Sequence, residues 1–190
     1  MSKNAENSMS PHDQPNSDAH KKSTKQLGGK YLTFFLANEE YGLEILKVVE
    51  INGMMDVTPV PRTPHYIQGV INLRGKVIPV MDLRLKFNMP YVETTDETVI
   101  IVVHAQNIEM GIIVDKVSEV LDINNDSIED SPAFGTEVNT EYILGIGKSE
   151  GNVKLLLDID RILTSQDVID LQAAQSQNSD MLDDTNSTND

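Results

Sequence analysis

The chain has 190 residues, contains no cysteine and carries a formal net charge of −15. This length suits one domain with tails, or two small subdomains that share a core, and the lack of cysteine excludes disulfides, thiolate metal sites and a thiol nucleophile. The acidic balance disfavours nucleic acid and anionic lipid as partners, because both are bound through clustered Lys and Arg.

Both ends of the chain are predicted to be disordered tails. Residues 1–27 are rich in Ser, Asn, Asp, His and Lys, so they cannot bury enough apolar surface to offset the entropy of ordering. Residues 174–190 show a similar Ser, Asn and Asp bias, which leaves residues 28–173 as the expected folded part. No apolar signal core begins the chain and no apolar run approaches the roughly 20 residues that span a bilayer. We therefore expect a cytoplasmic protein without membrane insertion.

Strand patterns dominate the folded part. The first are KYLTFFLA (30–37) and EYGLEILKVVEI (40–51), and two apolar runs then flank the Arg-Gly pair at 74–75. ETVIIVVHA (97–105) is a continuous apolar run, which is typical of a strand buried on both faces. About ten short strands with turn chemistry between them predict a mainly β fold, a barrel or a sandwich, with about five strands in each half of the chain.

Helix signals are few. The segment 81–87 is compatible with one or two turns. The strongest signal is C-terminal, where Thr164 precedes Asp167 at capping-box spacing and Val168 and Leu171 share one face. We therefore expect a C-terminal helix after the last strand.

The segment GIGKSEG (145–151) contains Gly147-Lys148-Ser149, the end of a phosphate-binding loop. The full motif needs a glycine five residues before Gly147, where Tyr142 stands, and it needs a helix to follow, whereas this segment leads into another strand pattern. The favoured interpretation is a β-hairpin with glycine in its turn.

No metal, cofactor or catalytic motif is complete in this sequence. The segment DINNDSIED (122–130) begins like a calcium loop, but Ser127 and Ala133 replace the required Gly and Glu, so we interpret it as a polar turn. His65 and His104 have no second histidine at zinc-binding spacing. Enzymatic function therefore has no positive support.

The pair Arg74-Gly75 predicts a tight turn between two strands, because glycine tolerates positive φ and the Asn72 side chain can hydrogen-bond the local backbone. Two roles for Arg74 are compatible with that position. The side chain can simply be solvated, or it can be a docking element whose planar fork grips a partner carboxylate from a fixed backbone.

The order of these segments closely resembles the CheW family of chemotaxis coupling proteins, from residue 30 to about 170. The most specific part is GVINLRG (69–75) followed by PVMDL (79–83). The resemblance implies two five-stranded, SH3-like β-barrel subdomains around a shared apolar core. It also implies a non-enzymatic, cofactor-free adaptor that couples methyl-accepting chemoreceptors to the histidine kinase CheA in membrane-associated receptor arrays.

The same resemblance implies a protein-binding surface. Arg74 matches the family's arginine in NLRG, and Gly69 matches the glycine five residues before it. In ILKVVEI (45–51), Val48 and Glu50 match positions that border the receptor and kinase surfaces. Four residues of the segment 110–121 match the lining of a groove that receives a receptor helix: Gly111, Val114, Val117 and Val120. Strand alternation alone would turn about half of these valines inward, and the two glycines could serve only bends or close backbone approach.

Rival interpretations remain. An adaptor of a related non-flagellar pathway, such as twitching motility, would carry the same motifs. A small enzyme or metal-binding barrel would need chemistry that the incomplete loops do not supply. The fused adaptor CheV is disfavoured, because the sequence after the predicted final helix leaves no room for a phosphate-receiver domain.

Overall fold

The computed structural model describes residues 26–130, 141–149 and 151–163. Within these ranges it contains eleven strands and two short α-helices, and 3₁₀ turns at Ile45–Lys47 and Asn125–Ser127. The elements in chain order are β1 Gly29–Leu36, β2 Glu39–Glu44, β3 Val48–Gly53, β4 Ile67–Leu73, β5 Lys76–Asp82, α1 Leu83–Lys86, β6 Val99–Ala105, β7 Ile108–Val114, β8 Lys116–Ile123, β9 Ile128–Glu129, β10 Ile143–Ser149, β11 Asn152–Leu157 and α2 Ile159–Ile162.

The predicted mainly β fold is confirmed, as is the helical turn within residues 81–87. The C-terminal helix predicted around Thr164 to Leu171 lies outside the described residues. No described helix is long and apolar enough to cross a membrane.

The strands form two sheets. The first sheet has the order β8-β1-β2-β11-β10-β9, and the second has the order β3-β6-β7-β5-β4. The second sheet therefore consists of five consecutive strands, while the first combines strands from both ends of the fold. The chain leaves the first sheet after β2 and returns to it only at β8.

Three apolar clusters explain how the sheets pack. The largest lies between them and joins Phe34 and Leu43 of the first sheet to Ile101 and Ile112 of the second. A second cluster covers the other face of the second sheet, and a third covers the other face of the first. Strand β6 contributes to two of these clusters because its apolar run is continuous. Alternate residues of the strand face the cluster between the sheets and the second cluster on the opposite face. Two small sheet units thus share one core.

The chain returns from the second sheet to the first at Asp115, between β7 and β8. Its N–H donates to the Phe35 carbonyl at 3.2 Å, and its carboxylate accepts from the Ala37 N–H at 2.7 Å and from Arg84 Nε at 2.8 Å. One residue therefore ties the β1–β2 turn and α1 to this crossing.

The incomplete phosphate-loop motif (145–151) and the incomplete calcium-loop motif (122–130) form the hairpin and the polar turn that the sequence predicts. Strands β10 and β11 form an antiparallel hairpin in which Ser149 pairs with Asn152. The calcium-like segment is a polar turn, in which Asn125 Oδ1 accepts from the N–H groups of Leu27 and Gly28 at 2.8 and 3.3 Å. The side chain of Leu27 is 8% exposed, so the packed part of the chain includes the last residue that the sequence assigned to the tail.

Candidate protein-binding surface

Arg74 and Gly75 form the two-residue turn between β4 and β5. Both have positive φ, +53° for Arg74 and +84° for Gly75, and Leu73 pairs with Lys76 across the turn. This is the geometry of the tight turns that follow the twist of antiparallel strands. The expected local hydrogen bond is present, since the Gly75 N–H donates to Asn72 Oδ1 at 2.8 Å. The tip is therefore fixed in place, although an arginine in this conformation costs roughly 1 kcal/mol.

The Arg74 side chain is 76% exposed and forms a two-point ion pair with Glu50 of β3, at 2.7 Å from Nη2 to Oε2 and 3.3 Å from Nη1 to Oε1. Strands β3 and β4 are the two edges of the second sheet. The ion pair therefore connects the turn at the end of one edge strand to the other edge strand through side chains. The Arg74 side chain is thus not freely solvated, because the ion pair with Glu50 fixes its orientation, but most of its surface remains accessible to water.

The two glycines of the predicted surface are required by packing. A Cβ on Gly69 would lie 2.1 Å from the Thr58 carbonyl oxygen, and Gly69 has a φ of +143°. A Cβ on Gly111 would lie 2.7 Å from a methyl group of buried Ile100. Any side chain at Gly69 collides with backbone, so the residue can influence binding only through the shape of the fold.

The four predicted valines differ in exposure. Val114 is 1% exposed and belongs to the core between the sheets, so its side chain does not line an open groove in this structure. Val48 and Val117 are half-buried and pack against the edge of that same core. Val120 is 51% exposed and lies in register with buried Leu32. The structure thus brings Val48 and Val117 to one apolar cluster and leaves Val120 open to solvent.

Three exposed apolar residues near this surface escaped the sequence analysis. Leu46 is 94% exposed, and Val49 and Ile51 of β3 are 50% and 43% exposed. Glu50 between them is only 22% exposed. A surface strand normally turns its charged residues outward, so this inverted alternation was the available signal. Exposed apolar residues on an edge strand are typical of an interaction surface.

A hydrogen-bonded cluster holds the 3₁₀ turn that precedes β3. Lys47 Nζ lies 2.5 Å from Asp160 Oδ2, and the Gln106 N–H donates to Asp160 Oδ1 at 2.8 Å. Partial burial opposes ionisation of Asp160, but the hydrogen bonds from Lys47 and Gln106 outweigh it and lower the pKa of Asp160. The cluster positions Leu46 and Val48 relative to both sheets.

No group of three or more His, Asp or Glu residues within the described ranges could hold a metal ion. The surface is built from exposed apolar side chains and one ion pair. These are the components of a protein–protein contact, in which apolar residues supply the affinity and a planar guanidinium fixes the orientation.

Comparison with known proteins agrees with this description. Residues 30–167 match the family model described as CheW-like domain. The chain is 42% identical over 142 residues to the chemotaxis protein CheW of Klebsiella aerogenes, which covers 75% of this chain and 86% of that protein. It is 37% identical over 142 residues to CheW of Bacillus subtilis, covering 73% and 89%.

A solved structure, that of the scaffolding protein TtCheW from Thermoanaerobacter tengcongensis, superimposes with a TM-score of 0.68 at 35% identity. The match covers 74% of this chain and 96% of that one. The similarity therefore extends over essentially all of the described fold.

Proposed function

The chain belongs to the CheW-like family of chemotaxis scaffold proteins, and from that premise we propose that it is a non-enzymatic adaptor coupling methyl-accepting chemoreceptors to the histidine kinase CheA. The observation that carries the proposal is Arg74, held by a tight turn and by Glu50 yet 76% exposed. A rigid, exposed guanidinium beside an apolar edge strand is suited to docking a partner, because little conformational entropy remains to be lost.

The apolar part of the surface supports a receptor contact. Val48, Val117 and Val120 would receive the apolar stripe of a receptor helix, the usual way in which an amphipathic helix enters a groove. Val114 takes no part in this contact, since it is buried. Gly69 and Gly111 support it only by maintaining the local backbone and packing.

The expected contacts are modest, roughly 800 Å² per partner or less. Simultaneous binding of several partners in a receptor array would then supply the stability of the assembly. For signal transfer, the adaptor must bind two receptor states with different affinities, because equal binding shifts no equilibrium. Association with membrane-bound arrays would follow from the receptors rather than from this chain.

Binding measurements with Arg74→Ala test the proposal. We expect affinity for purified CheA, for a receptor-tip fragment, or for both to fall about tenfold, as is typical for loss of an arginine anchor. Lys76→Ala is the matched control, because Lys76 lies on the same hairpin, is 60% exposed and also forms an ion pair, to Glu109 at 2.7 Å. If both substitutions weakened binding equally, at unchanged melting temperature, Arg74 would contribute only nonspecific surface charge and would not be a specific anchor.

The pathway is tested separately by co-purification. An immobilised copy of the full chain should retain a CheA-type kinase and receptors from cells of the source organism. Retention of a kinase from another chemosensory pathway would assign the adaptor there, and retention of neither partner would contradict the proposed coupling.

A further inference from the structure

A cleft of about 680 Å³ lies beside the candidate protein-binding surface and contains none of its predicted residues. It forms where the β1–β2 turn, the segment after β3, the α1–β6 connection and the β7–β8 crossing meet. Its volume is within the range of sites that hold a ligand or an anchoring side chain.

The floor of the cleft is fixed by polar contacts. Arg84 and Asp115 form an ion pair at 2.8 Å in which the Arg84 side chain is only 12% exposed. Asp115 also accepts from Ala37, and Met89 N–H donates to the Arg84 carbonyl at 2.8 Å. A floor of this kind does not need to reorganise when a ligand enters.

The charges of the cleft are unequal. It is lined by four acids and by two bases, Arg84 and Lys116. Both bases are already paired, Arg84 with Asp115 and Lys116 with Glu97 at 3.0 Å. Asp82 and Glu93 remain without an ion-pair partner in the part of the chain that the structure describes.

Asp82 is the stronger indication of a ligand. It is 7% exposed and caps α1, where its Oδ1 accepts from the Leu85 N–H at 3.1 Å. Burial raises the pKa of Asp82, against the opposing effect of its backbone hydrogen bonds and of Arg84. Arg84 acts on this carboxyl from nearby but forms its direct ion pair with Asp115, so a further cation in the cleft would stabilise the ionised form of Asp82.

The rim of the cleft is apolar and exposed. Tyr91 and Val92 are 63% and 51% exposed, and Met54, which lines the same cleft, is 36% exposed. The electron-rich face of the Tyr91 ring attracts a cation. The exposed side chains of Val92 and Met54 can contact apolar groups of the same ligand.

From these features we propose that the cleft binds a lysine or arginine side chain presented, between apolar residues, by a basic segment of a partner protein. The cation lies over Tyr91 and reaches towards Asp82 and Glu93, while the flanking apolar residues cover Met54 and Val92. The net charge of −15 on the whole chain favours the approach of such a segment over that of an acidic one. The site is independent of the proposed coupling to receptors and kinase.

The test uses the full chain and a fluorescein-labelled peptide of alternating lysine and leucine, followed by fluorescence anisotropy. Because a protein of this charge attracts any basic peptide, the decisive comparison is between variants. In Asp82→Asn the asparagine can still cap α1 but carries no negative charge, so we expect the peptide to bind about tenfold more weakly. Tyr91→Ala and Glu93→Gln, both at exposed positions, are expected to weaken it about fivefold and threefold.

Asp126→Asn is the matched control, because Asp126 is an exposed acid in the polar turn at Asn125–Ser127 and does not line the cleft. It should leave binding unchanged within twofold, and a peptide with glutamate in place of lysine should not bind. If Asp126→Asn weakened binding as much as Asp82→Asn and Glu93→Gln did, the attraction would be general and the site would be refuted. Binding that survives all three cleft substitutions at wild-type affinity would refute it equally.

Discussion

Two ion pairs in this molecule have similar geometry and very different surroundings. Arg74 and Glu50 approach to 2.7 Å with side chains 76% and 22% exposed. Lys154 of β11 and Glu40 of β2 approach to 2.9 Å with side chains 4% and 12% exposed. The first pair joins the β4–β5 turn to edge strand β3 of the second sheet, and the second pair joins two neighbouring strands inside the first sheet.

The difference separates stability from binding. A buried charge left without its partner is costly, whereas an exposed pair contributes little because water competes for both groups. The Lys154–Glu40 pair is therefore required by the fold. The Arg74–Glu50 pair contributes little to the stability of the fold, and its arginine remains accessible to a partner.

Lys154→Met is expected to have the largest effect on stability. Methionine has nearly the length of lysine but leaves the Glu40 carboxylate buried without its cation, so the free energy of unfolding should fall by about 3–5 kcal/mol. Urea unfolding measures the change. Combining Lys154→Met with Glu40→Leu should recover most of the loss, because no buried charge then remains.

Lys148→Met is the control for that experiment. Lys148 lies on β10, next to β11, and pairs with Glu129 at 2.6 Å with side chains 56% and 62% exposed. Its loss should change the free energy of unfolding by less than about 1 kcal/mol. Equal losses at Lys148 and Lys154 would show that burial is not what distinguishes the pairs.

The Lys47–Asp160 pair is intermediate, with side chains 33% and 37% exposed. Because the folded-state pKa of Asp160 lies below its usual 3.8, this carboxylate stabilises the fold above that pH, and the contribution is lost as the pH falls through the lowered pKa. Asp160→Asn should cost about 1 kcal/mol or less at pH 7 after allowance for solvent screening. Urea unfolding at pH 7 and in acid should show the difference between variant and wild type shrinking towards zero. A difference that stays constant with pH would assign the effect to packing instead.

Much of the fold could be predicted from the sequence because strand patterns are local. The hairpin at 149–152, the helical turn in 81–87 and the strand buried on both faces at 97–105 all follow from neighbouring residues. The division of strands between sheets could not be predicted in this way, since β1 and β2 pair with strands more than 70 residues away. Periodicity specifies that a strand has a buried face, but not which strand covers it.

The candidate surface shows the same limit. The turn at Arg74 could be predicted from Asn72 and Gly75. The ion pair between Arg74 and Glu50 could not, because the two residues are 24 positions apart and no local pattern indicates the contact. In two strands the usual alternation is inverted: Val153 is 55% exposed beside buried Lys154, and Val49 and Ile51 are exposed beside Glu50. In both cases the charged residue pairs with a residue distant in the sequence, Lys154 with Glu40 of β2 and Glu50 with Arg74 of the β4–β5 turn. In this chain, inverted alternation thus marks two charged residues whose ion-pair partners are distant in the sequence.

Arg74→Asn is the substitution with the smallest expected effect on stability, and it separates the two roles most sharply. Asparagine adopts positive φ at less cost than arginine, and Asn-Gly is the preferred sequence for this turn, so the gain should offset the loss of an exposed ion pair. The free energy of unfolding should stay unchanged or rise by up to about 1 kcal/mol, as measured by urea unfolding. Binding to CheA or to a receptor tip should nevertheless fall about tenfold, as for Arg74→Ala. A variant that lost stability and kept its binding would reverse the assignment, because Arg74 would then serve the fold and the strained turn would have no functional explanation.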